Sequence, residues 1–391
     1  MVNDTNLAII LALIEKPLAT DLEIQEIIKN KSNLGVNLSI STINRRVNSL
    51  FEKNIIQGAV PEIHFPLLGM QLHSFLLNVN TNNWKKNMDL LKRFFDVHPY
   101  TNFQCRVYGP INGSFCQFVL PNDKKALEHL KNTFNILEES NILVGYEHLP
   151  IVDRSVSTPM SHYYSDYNFN KWDIEYDKVT EELTSSTEKY IPNKYQSKSI
   201  LDEIQPLDLI ILRELTRNAR RSQSEILNFA KHKEPFKLYD DYFGNSQNPS
   251  SKPSFSRRYN FLLESGIISH FELAYDRYQF GMFNQALYIG NKDPIRVNGL
   301  QSSIKKGYIP FPSRLSFSPE KYIFWVNLPP TQLIHFPDVL LDYFSDLQIY
   351  LFGRFPSKYY FYHKNFDVDN KKWKISNEWM VDMPLKAIGQ Y

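Results

Sequence analysis

The sequence predicts an α+β fold written twice along one chain: a three-helix unit with a trailing ribbon, then an antiparallel sheet carrying two helices, then both again. Three observations carry this. NRRVNSLFEKNII at 44–56 and SRRYNFLLESGII at 256–268 agree in seven of thirteen letters at a constant offset of 212. The offset holds without a gap to Gly69-Met70, matched by Gly281-Met282. Each segment also follows two stretches of helical apolar spacing and precedes alternating, strand-type sequence.

The elements of the first half follow in order. Leu7, Ile10, Leu11 and Ile14 recur at helical spacing until Pro17 stops them. Asp21–Lys29 reads as a second helix, capped by Asp21 or Thr20, with Leu22, Ile24, Ile27 and Ile28 apolar. Ser41 can cap a third helix over 42–53 that turns Ile43, Val47, Leu50 and Phe51 inward. Ile55-Ile56 opens an extended segment through Ile63 and Phe65. Three short helices and a ribbon make a winged helix-turn-helix. Beyond it, strand 72–79, helix 84–97, a hairpin of 102–109 and 113–120 around GPING, helix 123–137 and strand 143–149 give the order β-α-β-β-α-β, a ferredoxin-like arrangement.

The second half repeats this. Leu207, Ile210, Ile211 and Leu215 mark its first helix, 222–230 the second, and roughly 254–265 the third, with Phe255, Tyr259, Leu262 and Leu263 inward. A polar insertion, 231–253, separates the last two. QALYI at 285–289 matches the first sheet strand, and WVNLPPTQLIHFPDVLLDYFS and QIYLFGRFP match later elements. The stretch 290–318 matches poorly. Pro294 and Gly299 crowd a helix start, so that helix should be short, near Gln301–Lys306. The tails pair as well: 163–174 and 359–375 each end in a Lys-Trp pair.

This gives winged helix-turn-helix domains at 1–68 and 201–280, βαββαβ domains with tails at 69–184 and 281–391, and a linker at 185–200, best placed from Tyr190 to Lys198. Composition sets outer limits. A chain of 391 residues, 42% hydrophobic and 22% charged, can bury more than one core. No run approaches eighteen apolar residues, and the N-terminus carries Glu15 where a leader would be uncharged, so a cytoplasmic protein with no membrane segment is expected. Two cysteines on the arms of the GPING hairpin, Cys105 and Cys116, read as buried free thiols that could sit across from one another. The ten histidines form no HxH or HExxH cluster, and there is no P-loop or GxGxxG, so neither a metal nor a cofactor is expected.

LDEIQPLDLIILRELTRNARRSQSEI followed by SRRYNFLLESGII resembles the opening of the Lrp/AsnC (feast/famine) transcription regulators. The resemblance implies a DNA-binding helix-turn-helix joined to a sheet domain that dimerises and senses amino acids or other small molecules. Members usually carry one unit per chain. Two units here imply an internal pseudo-dimer, whose tether removes the bimolecular cost of pairing. The family's effector loop corresponds to Gly109–Gly113, with Gly109, Ile111, Asn112 and Gly113 as candidate effector contacts. Ser316–Glu320 offers no clear equivalent in the second half.

With Ile43, Val47, Leu50 and Phe51 inward, the first recognition helix should present Thr42, Asn44, Arg45, Arg46, Asn48 and Ser49 to double-stranded DNA. In the second, Ser256, Arg257, Arg258, Asn260 and Phe261 are the candidates, with Lys252 just before them. Arginine reads guanine edges, asparagine reads adenine, and hydroxyls suit phosphates. Arg217, Arg220 and Arg221 form a further basic group at a turn. The wings contribute little: His64 beside Glu62, and Arg277 among Glu272 and Asp276. A net charge of only +2 requires any DNA-facing charge to be local, and a second chain, as a homodimer, would add contacts.

Two other readings stand beside this one. Sirohaem decarboxylases resemble the same superfamily and also come as paired subunits. Such an enzyme would draw on His98, Arg106, His148, Arg354 and His363 to hold a carboxylate-rich substrate. The third reading is a structural or protein-binding regulator that uses the aromatic tails, including Tyr163, Tyr164, Trp172 and Trp373.

Overall fold

The computed structural model describes residues 4–30, 37–157, 174–190, 199–229, 252–353, 357–367 and 369–390. The first winged helix holds α1 (Asp4–Glu15), α2 (Asp21–Asn30), α3 (Ile40–Glu52) and strand β1 (Ile56–Ile63). The first sheet domain follows as β2 (Met70–Val79), α4 (Trp84–Val97), β3 (Thr101–Tyr108), β4 (Gly113–Pro121), α5 (Lys124–Glu139) and β5 (Leu143–Pro150). Then come β6 (Asp153–Ser157) and α6 (Tyr176–Ser185). The second winged helix is α7 (Pro206–Asn218), α8 (Gln223–Phe229), α9 (Lys252–Glu264) and β7 (Ile268–Tyr275). The second sheet domain is β8 (Asn284–Asn291), α10 (Pro294–Lys305), β9 (Ser313–Phe317), β10 (Lys321–Leu328), α11 (Gln332–Leu341) and β11 (Gln348–Phe352). The tail adds short strands β12 (Ser357–Lys358), β13 (Phe366–Asp367) and β14 (Lys372–Trp373), then helix α12 (Met383–Ala387). The expected α+β alternation of winged-helix and βαββαβ segments is therefore present twice.

Compactness does not follow sequence order. One unit joins residues 1–59, 150–194 and 271–352; the other joins 60–149, 195–270 and 353–391. The first unit thus packs the N-terminal winged helix with the second sheet domain. Its core runs continuously from Leu7–Leu13 of α1 through Ile43, Val47 and Leu50 to Tyr288, Phe324, Phe336 and Phe344. The second unit packs the first sheet domain with the second winged helix and the tail. Both sheets have ferredoxin-like strand order: β11-β8-β10-β9 with β6 added at β9, and β5-β2-β4-β3 with β12 added at β3.

Several expectations change in detail. Ser39, not Ser41, caps α3, its hydroxyl accepting from the Thr42 N–H at 3.2 Å. Thr20 caps α2 through a reciprocal pair with Glu23, which receives the Thr20 N–H at 2.7 Å. α10 is a full helix from Pro294 rather than a short one near Gln301. Proline is tolerated at its first position, where Asp293 supplies the cap. Gly299 is required inside it because a Cβ there would meet the Glu182 carbonyl oxygen of α6 at 2.4 Å. Leu263, assigned inward, is exposed, while Phe261 is half-buried beneath the Arg258 guanidinium, 4.0 Å from its ring centre.

Cys105 and Cys116 do not face each other. Cys105 pairs in register with Phe115 and Cys116 with Gln104, so the two thiols, both free and buried, point to opposite faces of the sheet. Tyr190 is an anchor rather than the start of a loose linker. Its ring stacks 4.0 Å from that of Phe317, and its N–H donates to the Pro294 carbonyl at 2.9 Å. Residues 191–198 lie outside the described residues, as do the first tail segment, 163–173, and 231–251 of the insertion. No helix among the described residues is long and apolar enough to cross a membrane.

Candidate functional site

The two recognition helices were the sequence's main candidates, and the structure divides their residues. On α3, Asn44, Arg45 and Asn48 are exposed, and Thr42, Arg46 and Ser49 are half-buried. Asn44 donates to Asp21 of α2 at 2.7 Å and accepts from Asn48 at 3.1 Å. Thr42 is engaged at the cap, 2.9 Å from the Ser39 hydroxyl. Arg46 reaches back to Asn6 of α1 at 3.5 Å.

On α9, Arg257 and Asn260 are exposed, and the Ser256 hydroxyl donates to Gln223 of α8 at 2.9 Å. Lys252 opens the helix, and its side chain lies outside the described residues. Arg258 turns inward. Its Nε donates to Asp208 Oδ1 at 2.6 Å, and a second nitrogen donates to the other oxygen of that fully buried carboxylate and to the Glu203 carbonyl at 3.1 Å. A guanidinium held this way is not presented to a groove. Asp208 also caps α7 by accepting the Gln205 N–H at 2.7 Å.

The basic group at the α7–α8 turn is likewise built into the domain. Glu214, fully buried, receives Arg213 Nε at 2.6 Å and an Arg221 nitrogen at 3.1 Å. Arg213 also donates to His363 Nδ1 at 3.2 Å, which leaves that ring's proton on Nε2. Burial holds His363 well below its ordinary value, at about 3, with Arg213, Arg217 and Lys374 adding repulsion. Arg217 lies 4.7 Å over the Tyr360 ring, and Arg220 is half-buried, its N–H donating to Asn218. In the wing, Glu272 pairs with Arg314 at 3.2 Å.

The expected effector loop is an exposed turn at Gly109 and Asn112, with Ile111 half-buried. Gly113 is buried against β2, where a Cβ would lie 1.9 Å from the Leu77 carbonyl oxygen, so this glycine serves strand pairing.

Of the imidazole and cationic groups considered for an enzyme, Arg106 is exposed at the end of β3. His148 and His73 face each other at 3.0 Å, with Phe75 stacked on His148 at 4.6 Å. Burial lowers both, to about 3 for His73 and about 4 for His148. His98 caps the end of α4 and is buried, which lowers it to about 3. Arg354 lies outside the described residues. Among the described residues no cluster of three or more His, Cys, Asp or Glu could hold a metal.

Sequence reasoning missed two features. Asp208 was passed over as part of an apolar helix face, although an acid between Leu207 and Leu209, three residues after Gln205, is a signal for a buried cap. It also missed small cavities in the second unit that bring His98 and Thr101 beside Tyr359, Tyr360 and Tyr362. Nothing in the sequence connects residues so far apart.

No family model matches the chain, and no curated protein matches it. Among solved structures, the sirohaem decarboxylase NirDL corresponds over 97% of this chain and 98% of its own, with a TM-score of 0.51 and 13% identity. The same enzyme with an iron-uroporphyrin III analogue gives 0.49 and 12%. E. coli AsnC corresponds over 40% of this chain and 95% of its own, with a TM-score of 0.31 and 17% identity. At such identities it is architecture that is shared: the chain has a tandem winged-helix and ferredoxin-like fold that corresponds to NirDL from end to end.

Proposed function

We propose that this chain is a tetrapyrrole-handling protein of the sirohaem decarboxylase kind. One observation carries the reading: the end-to-end correspondence with NirDL, in which both winged helices and both sheet domains find counterparts in a single chain. The geometry of the second recognition helix weakens the rival DNA reading: pulling Arg258 away from Asp208 would leave a buried carboxylate uncompensated, a cost of about 3–5 kcal/mol, against about 1–3 kcal/mol for a bidentate base contact. Decarboxylation removes CO2 and returns a proton to the carbon left behind, so such a protein needs cations for carboxylates and a proton donor. Arg106, exposed on β3, is the cation this reading assigns first; the His73–His148 pair, held neutral by burial, is assigned a hydrogen-bonding role and not that of the acid.

The test is a titration of the full chain with iron-uroporphyrin III, followed by its visible absorbance and by mass spectrometry of the recovered pigment. The expected result is a saturable shift of the Soret band, weakened in Arg106→Ala, with loss of CO2 on turnover. An unchanged spectrum would overturn the proposal.

A second reading keeps one observation in its favour: Arg45 and Arg257, at equivalent positions of α3 and α9, are both exposed. Double-stranded DNA binding through these two, with a small-molecule effector, would give a low-salt mobility shift lost in the double alanine variant.

A further inference from the structure

We propose that the tyrosine-rich tail of the second unit closes a binding site for a small, uncharged ligand with an oxygen acceptor at one end and a short apolar group at the other. The site is a pair of neighbouring cavities. The smaller, about 20 Å³, is walled by Asp96, His98, Thr101 and the tail residues Tyr359, Tyr360 and Tyr362. The larger, about 50 Å³, shares Pro99, Thr101 and the same tyrosines, and is completed by Ile63, Phe65, Met70, Val119 and Trp373.

Two polar side chains that line the smaller cavity are buried and lack a partner: His98 at Nε2 and Thr101 at Oγ1. The His98 tautomer is fixed by its own turn. The Tyr100 N–H donates to Nδ1 at 3.3 Å, so the ring proton sits on Nε2 and is an unsatisfied donor. Leaving such a group unpaired costs about 1–3 kcal/mol, and a ligand oxygen would recover it.

Charge decides the ligand class. Among the described residues, no lysine or arginine lines either cavity. The one carboxylate, Asp96, already accepts the Tyr359 hydroxyl and the Lys92 ammonium, each at 2.8 Å. An anion would therefore find no cation in the described wall, and a cation would find that carboxylate already engaged. Water alone suits the smaller cavity better than the larger: a buried water needs two to four polar partners, and the larger wall, beyond Thr101, Asn102, Thr216, Asn365 and the tyrosine hydroxyls, is hydrocarbon and aromatic. An amphiphile fits both, its oxygen toward His98 and Thr101 and its apolar end toward Met70, Val119 and Trp373. The tail also touches the second winged helix, where the Phe361 N–H donates to Thr216 Oγ1 of α7 at 3.4 Å. Occupancy would thus stabilise the tail against α7.

The probe is propionamide, with propionate as its charged counterpart, titrated into the full chain labelled with 15N-histidine. The His98 Nε2–H resonance, assigned by its loss in His98→Phe, should shift saturably with propionamide and not with propionate. Thr101→Val should weaken the propionamide midpoint by about fivefold, the equivalent of one lost hydrogen bond, and Thr101→Ser should retain it. No saturable shift with propionamide, or equal shifts with both compounds, would overturn the proposal whatever the variants do.

Discussion

The two winged helices solve one packing problem with opposite chemistry. Asn6 is the third residue of α1, and Asp208 the third of α7. Each receives the inner arginine of a matched Arg-Arg pair, Arg46 at 3.5 Å in one case and Arg258 at 2.6 Å in the other. The outer arginines, Arg45 and Arg257, are exposed in both. The inner arginine is therefore a tether from the third helix to the first, and the outer one is the surface group. From Leu7 to Leu13 α1 is apolar and buried, whereas α7 buries Asp208, Arg213 and Glu214 as well. One domain is held by hydrocarbon and a long hydrogen bond from an arginine to a neutral amide, the other by a closed charge network.

The comparison breaks most readily at Asp208. Asp208→Ala should destabilise the second winged helix by about 3–5 kcal/mol, because it strands Arg258 in a buried setting and removes a cap. Asn6→Ala should cost under about 1 kcal/mol in the first. Denaturant midpoints followed by hydrogen exchange on α9 and α3 would measure both, and equal losses would refute the asymmetry.

Acid should separate the units as well. His73, His98 and His363, at about 3, and His148, at about 4, all belong to the second unit, and burial lowers each. The unfolded chain takes up these protons near the ordinary value of about 6.5, before the folded state does. Their contribution is complete above that pH and is lost as pH falls toward 3–4. Among the described residues the first unit has only the surface His335. Exchange protection between pH 7 and pH 5 should therefore fall in β2–β5 and hold in β8–β10.

A smaller effect tests one close backbone approach in each unit. Gly113→Ala and Gly299→Ala each force a Cβ into a backbone carbonyl and should cost about 1–3 kcal/mol, while Gly145→Ala, with open space around it, should be near neutral by thermal unfolding. Smallest of all, Arg45→Ala and Arg257→Ala should leave stability within about 0.5 kcal/mol. A larger loss at either would show that the outer arginine is also structural.

Elements with local causes were readable in advance. Helix 84–97 is bounded as its apolar spacing predicts, and the first βαββαβ order follows from strand alternation and turns, whereas 290–318 of the second, which holds α10 and β9, matches poorly. The errors came where a distant partner decided. Gly299 looked like a helix breaker until Glu182 was seen to occupy the space a side chain would fill. Arg258 looked like a reading residue because helical periodicity places it beside the exposed Arg257, and only the fold brings Asp208 to it. The cavity at His98 depends on a tail more than 250 residues away in sequence, a relation that local pattern cannot encode.

The interleaving of segments has a consequence for how the protein is made. The winged helix that emerges first packs in a unit whose last strand ends at Phe352, roughly 300 residues later. At about 5–20 residues per second, its apolar face waits on the order of tens of seconds on the ribosome for its partner sheet. Charged neighbours such as Lys16 and Glu23, and whatever chaperone meets the nascent chain, must keep that face from aggregating in the interval.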